Sequence, residues 1–269
     1  MHSVVEDHRA QLARAFTGIF TNDQAHDTLG LPMHQVSTIL RQLVACHELL
    51  KVGQGLYLVT GRYQRIQVPA VPPPELRSLL EDVERAGIEH FVTGLDCLFP
   101  FIHLLPMQDI VHLVYVRKGG GEWAFDLLLK QGIFATLNPD QKEWLSPMFL
   151  TLTPERAFVA VRETSLWYGV NGAMATPERA FVDLYLETRK RGYPVPAVEL
   201  GRILANFFDH GVCNLSRLIK AAHERSIDTE IKYILRKLPI TSQLPSKYLA
   251  GPEQVTQFAD EVVAGIHAR

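Results

Sequence analysis

The chain has 269 residues, which fits one large domain or two domains of ordinary size. Apolar residues make up 47% of it and charged residues 21%, a balance that excludes a disordered chain or a fibre because it supplies enough apolar surface for a packed core. No stretch approaches the roughly 20 apolar residues of a membrane span, and the N-terminus has no apolar run of signal-peptide length. We therefore expect a soluble, cytoplasmic protein with no membrane partner.

Charge is distributed unevenly along the chain, although the net charge is only -2. Counting Lys and Arg against Asp and Glu, residues 1–74 carry +1, residues 75–187 carry -7 and residues 188–237 carry +5. A basic surface on the C-terminal helices suits an acidic partner, either a protein or a nucleic acid.

Three amphipathic segments at the start of the chain predict three helices. Apolar residues recur at helical spacing from Val5 to Ile19, a short helix is expected over Asp23–Leu29, and a third begins near Pro32. Gly30 suits the left-handed position that ends the second helix. Two helices joined by a tight glycine-containing turn are typical of a helix-turn-helix.

A β-hairpin is predicted directly after these helices. Leu49–Val52 and Leu56–Val59 are apolar and extended, and Gly53-Gln54-Gly55 between them tolerates a turn. Three helices followed by a hairpin predict a winged helix-turn-helix over residues 1–66, a module that usually binds DNA.

The candidate DNA contacts are polar or basic side chains on the third helix, in the hairpin and just after it. Gln can bond adenine, Arg can bond guanine or phosphate, and Ser, Thr and Lys suit the backbone. The expected partner is promoter or operator DNA, and a homodimer on two half-sites would offset the small charge of the module. The candidates are His34, Gln35, Ser37, Thr38, Arg41, Gln42, Lys51, Gln54, Arg62 and Arg65.

A proline-rich linker over residues 67–74 separates this module from the rest, because consecutive prolines favour an extended conformation. Residues 75–269 are predicted to form a larger mixed α/β domain that is mostly helical from residue 176, so the fold class of the chain is α+β (mixed). The predicted helices are Glu75–Ala86, Leu95–Ile102 and Glu122–Lys130, and the predicted strands are Glu89–Val92, Ile110–Val116, Phe134–Leu137 and Ala157–Val161.

A seven-residue sequence occurs twice, as Thr153–Val159 and as Thr176–Val182. Two copies do not make a repeat architecture. The residues that follow the first copy favour a strand, whereas those after the second favour a helix with Thr176 as its N-cap and Pro177 in its first turn.

Two motifs of the larger domain carry a family resemblance. A strand ending in Val92-Thr93-Gly94-Leu95-Asp96, and the sequence Gly-x-x-Ala-Thr-Pro-Glu-Arg-Ala-Phe-Val-Asp-Leu over residues 172–184, come after the predicted winged helix. In this arrangement the chain resembles the AbiEi antitoxins of type IV toxin-antitoxin systems. The resemblance implies a winged helix that binds the promoter of its own operon, and a C-terminal domain that neutralises a nucleotidyltransferase-like toxin partner.

Other functions stay open from the sequence. A nucleotidyltransferase-related enzyme would place Thr93-Gly94 in its small turn and Asp109 as its first carboxylate, but Val111 stands where the second carboxylate should be, and such a site would hold Mg²⁺ poorly. The winged helix could instead serve as a protein–protein module. Cys46, Cys97 and Cys213 are far apart, and the pair His210-x-x-Cys213 has a permissible spacing but no two further ligands near it, so we assign no catalytic residue, metal or cofactor.

Overall fold

The chain forms a mixed α/β structure with two compact units, in a computed structural model that describes residues 2–59, 69–102, 111–144, 158–251 and 255–268. The first unit combines Met1–Ile66 with Leu204–Ala268, and the second is Gln67–Ile203. Within the described ranges, no helix has the length and apolar character needed to cross a membrane.

The N-terminal part of the first unit contains three helices and a small sheet. Its strands pair antiparallel in the order β1-β3-β2. The elements in chain order are α1 (His2–Ala15), β1 (Ile19–Thr21), α2 (Asn22–Leu29), α3 (Met33–Ala45), β2 (Leu49–Gly53) and β3 (Leu56–Val59).

Local sequence accounts for where these helices begin and end. At the start of α2 the Thr21 hydroxyl accepts a bond from the Gln24 N–H, and the Gln24 side chain accepts one from the Thr21 N–H. Gly30 ends α2 with φ 64°, a left-handed conformation that favours glycine. The prediction that the first helix continues to Ile19 is wrong, because α1 ends at Ala15 and Ile19 pairs with Leu58 in the sheet.

One apolar core holds α1, α2, α3 and the sheet together. Leu12, Phe20 and Leu40 are completely buried in it, and the rings of Phe16 and Phe20 stack with 4.5 Å between their centroids. This core fixes one face of α3 towards the interior and leaves the other face to solvent.

A six-stranded mixed sheet in the order β6-β7-β5-β4-β9-β8 organises the second unit. Strands β5, β7 and β6 run parallel to one another, whereas β4 pairs antiparallel with β5. The elements are α4 (Pro74–Arg85), β4 (His90–Thr93), α5 (Leu95–Leu98), β5 (Val111–Arg117), α6 (Gly121–Lys130), β6 (Phe134–Leu137), α7 (Gln141–Trp144), β7 (Phe158–Thr164), β8 (Val170–Asn171), β9 (Met174–Ala175) and α8 (Pro177–Arg191).

Helices make up most of the chain after α8. The boundary between the two units falls inside the first of these helices, between Ile203 and Leu204. They are α9 (Ala197–Asp209), α10 (Leu215–Glu224), α11 (Asp228–Arg236) and α12 (Gln257–His267), with two 3-10 turns at Pro239–Thr241 and Ser246–Tyr248.

Residues 204–268 belong with the N-terminal helices, which differs from the predicted single domain over residues 75–269. The side-chain oxygen of Gln243 accepts bonds from the N–H groups of Thr17 and Gly18, both at 3.1 Å. A Cβ added at Gly18 would lie 2.4 Å from the carbonyl oxygen of Ile240, so the two backbones meet there without a side chain between them. These contacts join segments more than 200 residues apart in the chain, and no local sequence pattern predicts them.

Candidate nucleic-acid interface

Helix α3 has one buried face and one polar face. Val36, Leu40 and Leu43 are completely buried and recur at helical spacing. The polar and basic residues at the other positions form what we call the polar face. Its members are His34, Gln35, Thr38, Arg41 and Gln42, which are exposed, and Ser37, which is half-buried.

The polar groups of this face bond within their own helix. The Thr38 hydroxyl donates to the carbonyl oxygen of His34 at 2.9 Å, and Nε of Arg41 donates to the carbonyl oxygen of Ser37 at 3.2 Å. Within the described ranges, Arg41 forms no ion pair with a carboxylate. The guanidinium charge is therefore not neutralised by this part of the protein, and it can serve an acidic ligand without breaking an ion pair.

The hairpin places a second cation near the polar face. Lys51 is exposed in β2 and is paired in register with Tyr57 of β3, so the two side chains leave the same side of the sheet. Burial raises the pKa of Tyr57, and the nearby positive charge of Arg41 opposes this rise. Two predicted contacts from separate elements thus neighbour Tyr57, Lys51 through the strand register and Arg41 through the effect of its charge.

The turn of the hairpin rests against the C-terminal part of the same unit. The Gln54 N–H donates to the Ser216 hydroxyl of α10 at 3.2 Å, and a Cβ on Gly53 would lie 2.6 Å from that hydroxyl. The Gln54 side chain is exposed. Of the predicted contacts, Arg62 and Arg65 lie outside the described residues.

The second unit contains the residues of the enzymatic alternative. Thr93 is completely buried and its hydroxyl donates to Asp183 at 3.0 Å, while Asp96 faces Nδ1 of His112 at 2.9 Å. Asp109 lies outside the described residues, and Val111 is buried in β5. No cluster of three or more metal-ligating side chains occurs in the part of the chain that the structure describes.

Buried ion pairs are the main polar feature of helix α8. Arg162 and Glu187 are both nearly inaccessible and form a side-chain pair at 2.6 Å, and the Tyr115 hydroxyl also donates to Glu187. Asp183 pairs with Nε of Arg179 at 2.7 Å, but its complete burial outweighs this pairing and raises its pKa to about 6. These groups bond to one another inside the unit, so their contacts are those of a buried network that holds α8 against the sheet.

Neither protein-family models, nor curated proteins, nor solved structures gave a match to this chain. The functional argument therefore rests on the geometry of the polar face and the hairpin. Two residues at this site were not predicted, Tyr57 and Ser216. The first lies in the predicted strand Leu56–Val59, whose four residues are all apolar, so no alternation in the sequence marks the side that faces the helices.

Proposed function

We propose that this protein is a DNA-binding transcriptional regulator, in which α1–α3 and the β2–β3 hairpin form a winged helix-turn-helix and α3 enters the major groove. The observation that carries the proposal is the polar face of α3, which is exposed except at the half-buried Ser37. It carries Arg41, whose charge acts on Tyr57, the register partner of the hairpin cation Lys51. A helix with such a face, followed by a cationic hairpin, matches the way this module reads bases with the helix and holds phosphates with the wing.

The roles within this interface follow from side-chain chemistry. Gln35 and Gln42 have an amide that can bond an adenine edge with both its donor and its acceptor. Arg41 suits either guanine or a phosphate, whereas Lys51 suits a phosphate as a point charge. The few cations at the site predict modest affinity for a single copy, and a homodimer on two half-sites doubles the phosphate contacts.

The test is binding of the full chain to a labelled duplex from the region upstream of its own gene, followed by fluorescence anisotropy at several salt concentrations. We expect binding that weakens as salt is added, since phosphate neutralisation releases counterions. An unrelated duplex of equal length measures the nonspecific component. If the upstream duplex binds no better than the unrelated one, the proposal of a sequence-specific regulator fails.

Arg41→Ala is the first variant to measure. It removes an exposed side chain from the polar face, so we expect binding to weaken by about 1–3 kcal/mol without loss of folding. Arg14→Ala is the matched control, because Arg14 is an equally exposed arginine near the end of α1 and, within the described residues, also forms no ion pair. Equal effects of the two variants would mean that only general charge matters and that α3 is not the reading element.

The resemblance to AbiEi antitoxins extends this proposal to a biological role. On that basis the protein represses its own operon from the cytoplasm and neutralises a nucleotidyltransferase-like toxin. Growth assays with the reading frame next to its gene, expressed with and without this protein, test the role. Rescue of growth by this protein supports the antitoxin role, and absence of any toxic neighbour removes it while leaving DNA binding untouched.

A further inference from the structure

We infer that Tyr57 is a further DNA-binding residue, whose hydroxyl donates a hydrogen bond to a duplex phosphate held between Arg41 of α3 and Lys51 of the hairpin. This inference rests on the proposed DNA-binding function and names one contact of that same site. It identifies the junction of α3 with the hairpin as a phosphate-binding position built from three separate elements, α3, β2 and β3.

The position of the Tyr57 ring is fixed by the core. The residue is 7% exposed, belongs to the core around α1–α3, and lies 6.1 Å from the ring of Phe20 between centroids. Because the ring is held at its inner end, the hydroxyl at the other end points to a defined place and loses little freedom when it binds. The register of the sheet puts that place on the same side as Lys51.

The hydroxyl of Tyr57 is not used inside the described part of the protein. Other buried tyrosines have a clear partner: Tyr115 donates to Glu187 at 2.8 Å, and Tyr193 donates to the carbonyl oxygen of Val111 at 2.8 Å. Within the described ranges Tyr57 makes no such bond. Its hydroxyl is not among the buried polar atoms that lack a partner, which means that the hydroxyl oxygen itself is not buried. A tyrosine hydroxyl that reaches the surface of an otherwise buried ring is a free donor for a ligand.

The charges around the hydroxyl select the kind of ligand. The charge of Arg41 acts on the Tyr57 phenol, and Lys51 is the register partner of Tyr57 on the same side of the sheet. Neither cation forms an ion pair with a carboxylate in the described ranges. Two cations that neighbour one hydroxyl donor suit a single anionic oxygen group, and in a DNA-binding site that group is a backbone phosphate.

Tyr57→Phe tests this assignment because it deletes only the hydroxyl and keeps the ring in the core. We expect the affinity for the upstream duplex to fall about fivefold, which is the usual effect of one hydrogen bond. The dependence of affinity on salt should stay as in the wild type, because a neutral donor releases no counterion, whereas Lys51→Ala should lower the salt slope by about one phosphate contact. Tyr248→Phe is the control, as it removes a hydroxyl elsewhere in the same unit.

A second measurement separates a direct contact from an effect on folding. Duplexes that carry a neutral methylphosphonate at one position at a time remove single anionic phosphates. At the phosphate that Tyr57 contacts, the wild type and Tyr57→Phe should bind with equal affinity, while at other positions the fivefold difference should persist. The circular dichroism spectrum and the unfolding temperature of Tyr57→Phe should match the wild type.

The inference is overturned if the wild type binds the upstream duplex and Tyr57→Phe binds it equally well. It is also overturned if the fivefold difference persists on every methylphosphonate duplex, since the hydroxyl then contacts no single phosphate. Failure of the wild type itself to bind is a different result, and it removes the proposed function rather than this contact alone.

Discussion

Removal of the Gln243 side chain is expected to destabilise the first unit without affecting the second. The amide oxygen of Gln243 accepts from the N–H groups of Thr17 and Gly18, and its nitrogen donates to the carbonyl oxygen of Ala15 at 3.2 Å. A protein hydrogen bond contributes about 0.5–1.5 kcal/mol net, and the bonds to Thr17 and Ala15 are exposed, so the three together give about 2 kcal/mol. Gln243→Ala should lower the free energy of unfolding of the first unit by that amount.

The distribution of tryptophan makes the measurement specific to one unit. Trp123, Trp144 and Trp167 are the three tryptophans of the chain, and all lie in the second unit. In a denaturant titration, tryptophan fluorescence therefore follows the second unit, while far-ultraviolet circular dichroism follows the helices of both. We expect Gln243→Ala to shift the dichroism transition to lower denaturant and to leave the fluorescence transition in place.

Gln243→Glu is the matched control for this experiment. A carboxylate still accepts both N–H bonds but cannot donate to Ala15, so the loss should be less than half that of the alanine variant. The reasoning is refuted if the alanine variant leaves the dichroism transition unchanged, because the three bonds then contribute no net stability. It is refuted equally if fluorescence shifts as far as dichroism, because the effect is then not confined to the first unit.

Two further predictions concern buried groups. Gly18→Ala should prevent the close approach of the Ile240 backbone, since the new Cβ would lie 2.4 Å from its carbonyl oxygen. We expect the unfolding temperature to drop by more than it does in Gln243→Ala. An unchanged unfolding temperature would contradict the described packing. Burial raises the pKa of Asp183 from 3.8 to about 6, so the folded state binds the proton more tightly than the unfolded state. The stabilisation that the protonated carboxyl gives is therefore complete below about pH 4 and is lost as pH rises through about 6. The free energy of unfolding of the wild type relative to that of Asp183→Asn should therefore fall by about 3 kcal/mol between about pH 4 and about pH 7. Tryptophan fluorescence in a denaturant titration measures this difference at each pH. A difference that stays constant would refute the shifted pKa.

Local chemistry in the sequence was enough to predict most elements in the N-terminal part of the first unit. The end of α2 at Gly30 and the buried positions of α3 follow from residues within a few places of each other. The exposed polar face of α3 follows from the same periodicity. Ile19 was misassigned to a helix because its strand exists only through pairing with Leu58, almost forty residues later.

Long-range packing explains what the sequence did not disclose. The grouping of residues 204–268 with the N-terminal helices depends on Gln243 and Ile240, which have no periodic signal of their own. The repeated seven-residue sequence differs, because the residues that follow each copy already indicate its conformation. Its last two residues, Phe158 and Val159, begin strand β7, whereas the second copy, Pro177–Val182 after Thr176, begins helix α8. The residues that follow each copy, which favour a strand after the first and a helix after the second, agree with these two conformations.

The discontinuous first unit has a consequence for protein synthesis. Residues 1–66 are synthesised before residues 204–268, so the contacts from Ser216, Ile240 and Gln243 form only after those later residues have emerged from the ribosome. A nascent chain, or a product truncated before residue 204, has the polar face of α3 without the helices that support its unit. The first unit therefore reaches its full stability only after residues 204–268 have been synthesised.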